Sequence, residues 1–289
     1  MKNNFDEKEA IMKRYSCRTY EKKSIEPATV EELRSYISSL GNGLFGSDIR
    51  FDITASVPGD SENLRGLGTY GFIRNPAGFV IGAMKKGDHN LEDYGFLMEN
   101  ITLKAASLGL DSCWLGGSFS RSSFAGRINA AADETVPAVL AIGYAAEKKR
   151  VIERVARWKM DADNRKAWQR IFFHGDFSTP LTVDEAGIYR EALEFLRMAP
   201  SAVNYQPWRI LKERDKNRFH FYLKRTKDYD ENSFMVKSDL QRVDMGIAMS
   251  HFEAGAGLHG LKGKFSVTDS PVPGKETPFI YTATWKEAR

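Results

Sequence analysis

The feature that most constrains this chain is that it repeats itself. Pro27-Ala28-Thr29-Val30-Glu31-Glu32 returns as Pro180-Leu181-Thr182-Val183-Asp184-Glu185, 153 residues later. Gly95 and Gly109 bracket an apolar stretch, and Gly246 and Gly260 bracket another 151 residues on. Val139 to Tyr144 has a looser counterpart in Ile280 to Trp285. Three landmarks in one order argue for an internal duplication, because units that cannot bury an apolar face alone do so against a copy. Two related halves are expected to pack about an approximate twofold axis, as the subunits of a dimer do. A length of 289 residues accommodates two such units, divided here as 1–170 and 171–289.

Hydrophobic periodicity gives each unit both strands and helices. Residues 5–13 read as a short helix, and Pro27 opens another, with Thr29 as its N-cap and Val30, Leu33, Ile37 and Leu40 as its apolar face. Gly41-Asn42-Gly43 ends it. Arg50 to Val57 and Gly78 to Met84 read as strands. From Asp93 to Leu108, apolar residues Tyr94, Leu97, Met98, Ile101 and Ala105 recur at helical spacing. Asp111 to Leu115 reads as a short strand running into Gly116-Gly117, and Ala138 to Tyr144 as a buried one. A second-half helix is expected at about 183–197. The run 147–170 is charged and reads as helical and irregular surface.

The halves differ in their polar chemistry. Arg14, Ser16 and Arg18 alternate along a segment that leaves the first helix, which puts all three on one face if the segment is extended. Two forked guanidiniums and a hydroxyl suit a phosphate, and a solvated basic strand is the plainer alternative. Nothing before Pro180 matches that element. Conversely, Ala199-Pro200-Ser201-Ala202-Val203-Asn204-Tyr205-Gln206-Pro207-Trp208 has no polar counterpart in Gly41 to Gly46.

Several function classes are excluded. Gly66-Leu67-Gly68-Thr69-Tyr70-Gly71 matches GxGxxG but leads into a strand, so it is not a dinucleotide fingerprint. The five histidines lack ligand spacing, and Cys17 and Cys113 stand far apart without a CxxC. A net charge of +4 from 42 basic and 38 acidic residues does not suit a nucleic-acid binder. Without an apolar signal segment or membrane span, a soluble cytoplasmic protein is expected, with no nucleic-acid or membrane partner.

Together the motifs resemble the FMN-dependent nitroreductase family, in a single-chain, duplicated branch. Arg14 to Arg18 is similar to its RxSxR element, and Ala199 to Trp208 to its APSxxNxQPW loop. Leu108-Gly109-Leu110 through Cys113-Trp114-Leu115-Gly116-Gly117 is similar to GLGSCWxGG, and Gly143 to Glu147 to GYPAE. Arg165-Lys166 is similar to the basic pair of RKPLE, with Lys148, Lys149 and Arg150 as rivals for that role. The resemblance implies an α+β, nitroreductase-like fold of two related halves, each a mainly antiparallel sheet flanked by helices, packed as a pseudo-dimer. It implies one FMN per chain, bound by Arg14, Ser16, Arg18, Leu115, Gly116, Gly117, Arg165, Lys166, Pro200, Ser201, Asn204 and Gln206. In the usual family order the APSxxNxQPW loop follows RxSxR closely and serves the partner subunit's flavin. Its displacement into the second half implies that the chain is its own partner and need not form a dimer.

The activity implied is an oxidoreductase of nitroreductase type, in which NAD(P)H as co-substrate passes hydride through the flavin N5 to a nitroaromatic, quinone or similar small-molecule acceptor by a ping-pong mechanism. No catalytic acid, base or metal is expected, since the cofactor carries the chemistry. Two other readings stay open: an FMN-binding sensor, carrier or scaffold without turnover, and a duplicated fold without a cofactor.

Overall fold

A computed structural model describes residues 5–58, 62–147, 164–227, 238–267 and 277–288. The first sheet is built from β1 (Ile49–Ala55), β2 (Gly78–Lys85), β3 (Asp111–Leu115), the short β4 (Glu134–Thr135) and β5 (Val139–Gly143). Its order is β1-β2-β5-β3, with β4 paired to β2. The second contains β6 (Phe172–His174), β7 (Asp176–Pro180), β8 (Trp208–Lys212), β9 (Arg218–Leu223), β10 (Gly263–Ser266) and β11 (Ile280–Glu287). Its order is β10-β11-β9-β8-β6-β7. Read from β8, the run β8-β9-β11-β10 reproduces β1-β2-β5-β3. Val139 to Tyr144 and Ile280 to Trp285 thus fall on equivalent strands. Pairing is antiparallel throughout except between β6 and β8. Phe172 to His174, just beyond residue 170, lie in the second sheet.

Alternation along the first sheet explains its two covered faces. Val80, Leu140 and Ile142 enter the large core shared with the second half. Phe79, Ile81, Val139 and Ala141 point the other way, against Phe119, Phe124 and Cys17. In the second sheet, Trp208, Ile210, Phe219, Phe221 and Trp285 face the shared core.

Between the sheets run two long helices, α3 (Asn90–Ser107) and α6 (Leu240–Leu258), each buried along most of its length. Among the described residues the other α-helices are α1 (Glu7–Lys13), α2 (Pro27–Ser39), α4 (Arg121–Arg127) and α5 (Arg190–Met198). Both long helices end in the same way. Gly109 and Gly260 take positive φ, and the next N–H turns back onto the helix: Leu110 to the carbonyl of Ala105, Leu261 to that of Ala256, both 3.0 Å. They cross at glycines. A Cβ on Gly95 would strike the carbonyl oxygen of Val243 and the amide of Ile247, and one on Gly246 would strike the carbonyl of Glu92 and the amide of Phe96. These contacts interchange under the 151-residue offset, which is the signature of a self-complementary twofold interface.

Two local readings change. α2 begins at Pro27 with Glu26 as its N-cap, in place of Thr29, because proline occupies the first helical position without needing an N–H partner. The echo at Thr182-Glu185 forms a reciprocal capping box in a turn, Thr182 N–H and Oγ donating to the Glu185 carboxylate, and the helix begins only at Arg190. Lys148, Lys149 and Arg150 lie outside the described residues. Among the described residues no helix is long and apolar enough to cross a membrane.

Candidate functional site

At one end of the α3–α6 pair lies a cavity of about 560 Å³, walled by both halves. α1 delivers the first wall. Its Ala10 and Ile11 pack on Leu103, Phe195 and Ala254, and the chain leaves it extended at Arg14. Ser16 then bridges to Ser112 of β3, and Cys17 N–H donates to the Ser112 carbonyl at 2.9 Å. With Cys17 turned into the core, Arg14, Ser16 and Arg18 line the cavity as expected, and Tyr15 joins them. Arg18 is buried, with its guanidinium 5.1 Å from the Phe72 ring centre, a cation–π distance.

The end of β3 supplies the second wall, Gly116 and Gly117. Gly116 packs closely on α6: a Cβ there would displace the Leu240 side chain. Behind the pair, Arg121 of α4 donates to the carbonyls of Gly116 at 2.7 Å, Val136 at 2.6 Å and Pro137 at 3.1 Å. Leu115 is buried in the first-half core and is not part of the lining.

The third wall is the 200–206 loop with the first turns of α6. Pro200, Ser201 and Asn204 line the cavity, and Arg165 reaches it from the preceding segment. Arg165 donates to the Met198 carbonyl at the end of α5 and to Asn204 Oδ1 at 3.2 Å. Lys166 and Gln206 lie outside the lining. Gln206 is a clip: its Oε1 accepts from Lys166 N–H at 2.7 Å, and its Nε2 donates to Asn164 and Asn204. The Lys166 ammonium donates to the carbonyls of Tyr205 and Gln206. Burial, then the nearby charges of Arg209, Lys224 and Arg170, lower its pKa to about 8. The loop is strained: Val203, Asn204 and Gln206 all take positive φ, at 51°, 56° and 47°. For β-branched Val203 that conformation is uncommon and is held by the surrounding hydrogen bonds.

Two parts of the wall lie outside the residues singled out from the sequence. Trp114 lines the cavity and donates its indole N–H to Glu99 at 2.9 Å; Glu99 meets His251 of α6 at 2.9 Å, and His251 meets the Phe195 carbonyl at 3.0 Å. Leu240, Val243, Asp244 and Ile247 of α6 also face the cavity. Asp244 accepts from Ala202 N–H at 2.9 Å, and burial raises its pKa well above the ordinary carboxyl value. A lone acid just before the Gly246–Gly260 stretch gives no sequence signal of its own.

Nine of the twelve residues singled out from the sequence therefore meet on one cavity, and Leu115, Lys166 and Gln206 stand behind it. Three guanidiniums on the wall suit an anion, while Trp114, Phe72, Leu240, Val243 and Ile247 offer apolar surface for a planar body. Among the described residues no three metal-binding side chains cluster.

The chain is similar in fold to the crystal structure of a putative nitroreductase from Thermotoga maritima MSB8, at 18% identity, with 99% of this chain and 94% of that chain covered and a TM-score of 0.60. Other structures match about half of it. A nitroreductase with bound FMN from Bacteroides fragilis NCTC 9343 is 20% identical over 52% of this chain and 92% of that chain, TM-score 0.38. An FMN-dependent nitroreductase from Clostridium difficile R20291 is 19% identical over 49% and 89%, TM-score 0.39. No curated protein matches. A family model described as "Putative TM nitroreductase" matches residues 6–256. With most of its length matched by that model and a nitroreductase-like fold along the whole chain, this protein belongs to the TM nitroreductase family.

Proposed function

We propose that this protein binds one FMN in the cavity and works as an NAD(P)H-dependent oxidoreductase of nitroreductase type, reducing a nitroaromatic, quinone or similar planar acceptor in two half-reactions. The observation that carries this reading is the convergence of three arginines, a glycine pair and the 200–204 loop, drawn from both halves, on one cavity. The residues fit the cofactor: cations and hydroxyls for a phosphate tail, apolar and aromatic wall for a ring system, and a volume within the usual range for such ligands. When bound, FMN supplies the hydride chemistry, and the protein supplies binding, orientation and control of water.

In this reading Arg14, Ser16 and Arg18 hold the phosphate and polar tail, and Arg165 adds a cation from the other side. Gly116 and Gly117 bring backbone close to the ring. Pro200, Ser201 and Asn204 close the wall. Leu115, Lys166 and Gln206 serve in the layer behind, with the clip between Lys166 and Gln206 fixing the strained loop. The halves divide near residue 170, and a chain that carries both walls functions without a partner subunit. No nucleic acid or membrane takes part.

The test is an anaerobic titration of purified, FMN-loaded protein. Loss of the oxidised-flavin absorbance within seconds of adding NADH or NADPH, and its return with a quinone, is the expected result. Protein that binds FMN but keeps its colour is a carrier or sensor. Protein that ignores added FMN overturns the proposal.

A further inference from the structure

The duplication offers an internal control for one residue of the cavity. Asp93 and Asp244 stand 151 residues apart, at equivalent places on α3 and α6. Each receives the loop that follows the preceding helix, but they are satisfied differently. Asp93 Oδ1 accepts from Phe45 N–H at 3.0 Å and Oδ2 from Ser47 N–H at 3.0 Å, so both oxygens are bound by backbone. Its loop is pulled in so closely that a Cβ on Gly43 would strike the carboxyl group. Asp244 accepts one such bond, from Ala202 to Oδ1, while Oδ2 is buried without a hydrogen-bond partner among the described residues.

Asp244 is 2% exposed and lines the cavity. A buried carboxyl oxygen left unpaired costs the fold its lost hydration, and more if the group is ionised. Burial, opposed by the Ala202 bond and joined by the like charge of Asp239, raises its pKa well above the ordinary carboxyl value and so favours the protonated form. A neutral carboxyl has one hydrogen to donate. We infer that Asp244 donates a hydrogen bond from Oδ2 to an acceptor atom, a ring carbonyl or imine nitrogen, of the molecule bound in the cavity. This role rests on the FMN reading above, and the pseudo-equivalent Asp93 has no such oxygen to offer.

The experiment compares wild type, Asp244→Ala, Asp244→Asn and Asp93→Asn by FMN titration followed through quenching of flavin fluorescence. Loss of one neutral hydrogen bond raises Kd for Asp244→Ala about five- to tenfold. Asp244→Asn keeps an acceptor for Ala202 and a donor for the ligand, and stays within about threefold of wild type. Asp93→Asn lowers the melting temperature and leaves Kd unchanged. An infrared carbonyl band of a protonated carboxyl, present in wild type at neutral pH and absent in Asp244→Asn, is expected independently of affinity, and keeps the inference testable if Asp244→Ala does not fold. Equal Kd for folded Asp244→Ala and wild type, or absence of that band, overturns it. Wild type that does not bind FMN at all overturns the proposed function itself, and this role with it.

Discussion

The two ends of the α3–α6 pair were built from one pattern and now do different things. At their crossing the symmetry is retained: Gly95 faces Val243 and Gly246 faces Glu92. One turn away it is lost. Arg242 of α6 makes a two-pronged ion pair with Glu92 of α3, at 2.8 and 2.6 Å, whereas the residues in the exchanged positions are Leu91 and Val243. Glu99 meets His251, whereas their counterparts Ser250 and Asn100 share a neutral hydrogen bond at 2.7 Å. At the α3 end the loop with Phe45 and Ser47 is tied down on Asp93, and at the α6 end a cavity opens beside Asp244. Backbone contacts at a crossing constrain both copies equally, since any side chain there clashes. Polar side chains at the ends are constrained only by what each end must bind, and there the copies diverged.

The largest effect is expected at the crossing. Gly95→Val and Gly246→Val each push a side chain into facing backbone that cannot yield, and each lowers stability by about 3 kcal/mol, the upper end of overpacking costs, in denaturant melts. Near-equal losses support a true twofold; a large loss at one site and none at the other breaks it. Next comes the asymmetric ion pair. Arg242→Ala strands the Glu92 carboxylate, whose side chain is 4% exposed, and lowers stability by about 3 kcal/mol. The double variant Glu92→Val/Arg242→Leu, which restores the residue types of the exchanged positions, recovers much of that loss.

On the ligand side, Arg14→Ala or Arg18→Ala removes charge-assisted bonds to the phosphate and raises the FMN Kd about 10- to 100-fold. Arg34→Ala, on exposed α2, leaves it unchanged. The smallest effect concerns the sheets. β2 is apolar from Gly78 to Met84, but β9 carries buried His220, whose pKa burial lowers to about 4 from 6.5. Because the unfolded chain binds the extra proton between those values, stability falls as pH drops from about 6.5 towards about 4, by roughly 2 kcal/mol. His220→Gln flattens that part of the pH profile if His220 is its source.

The fold was legible where the same constraint acts on both copies. The glycines at 95, 109, 246 and 260 could be read because crossing backbones and left-handed helix ends demand them. Arg14, Ser16 and Arg18 could be read because alternation on an extended segment fixes their common face. Lys166 and Gln206 read in sequence as cofactor-binding residues, but three-dimensional packing sets them behind the lining, each bound to the other's segment. Asp244 and Arg121 could not be read at all. One is an acid within an apolar helical stripe, the other a surface-type residue whose partners are backbone carbonyls, which no motif records.

The central claim is that two halves make one flavin site, at the α6 end alone. The most direct test is the FMN stoichiometry of the purified, saturated chain, measured by native mass spectrometry alongside absorbance after release of the flavin. One FMN per chain in wild type and Asp93→Asn, and in Arg14→Ala one that is lost on dilution to an FMN concentration at which wild type stays saturated, is the result predicted here. Two FMN per chain, or one that Arg14→Ala keeps under that dilution, would contradict it.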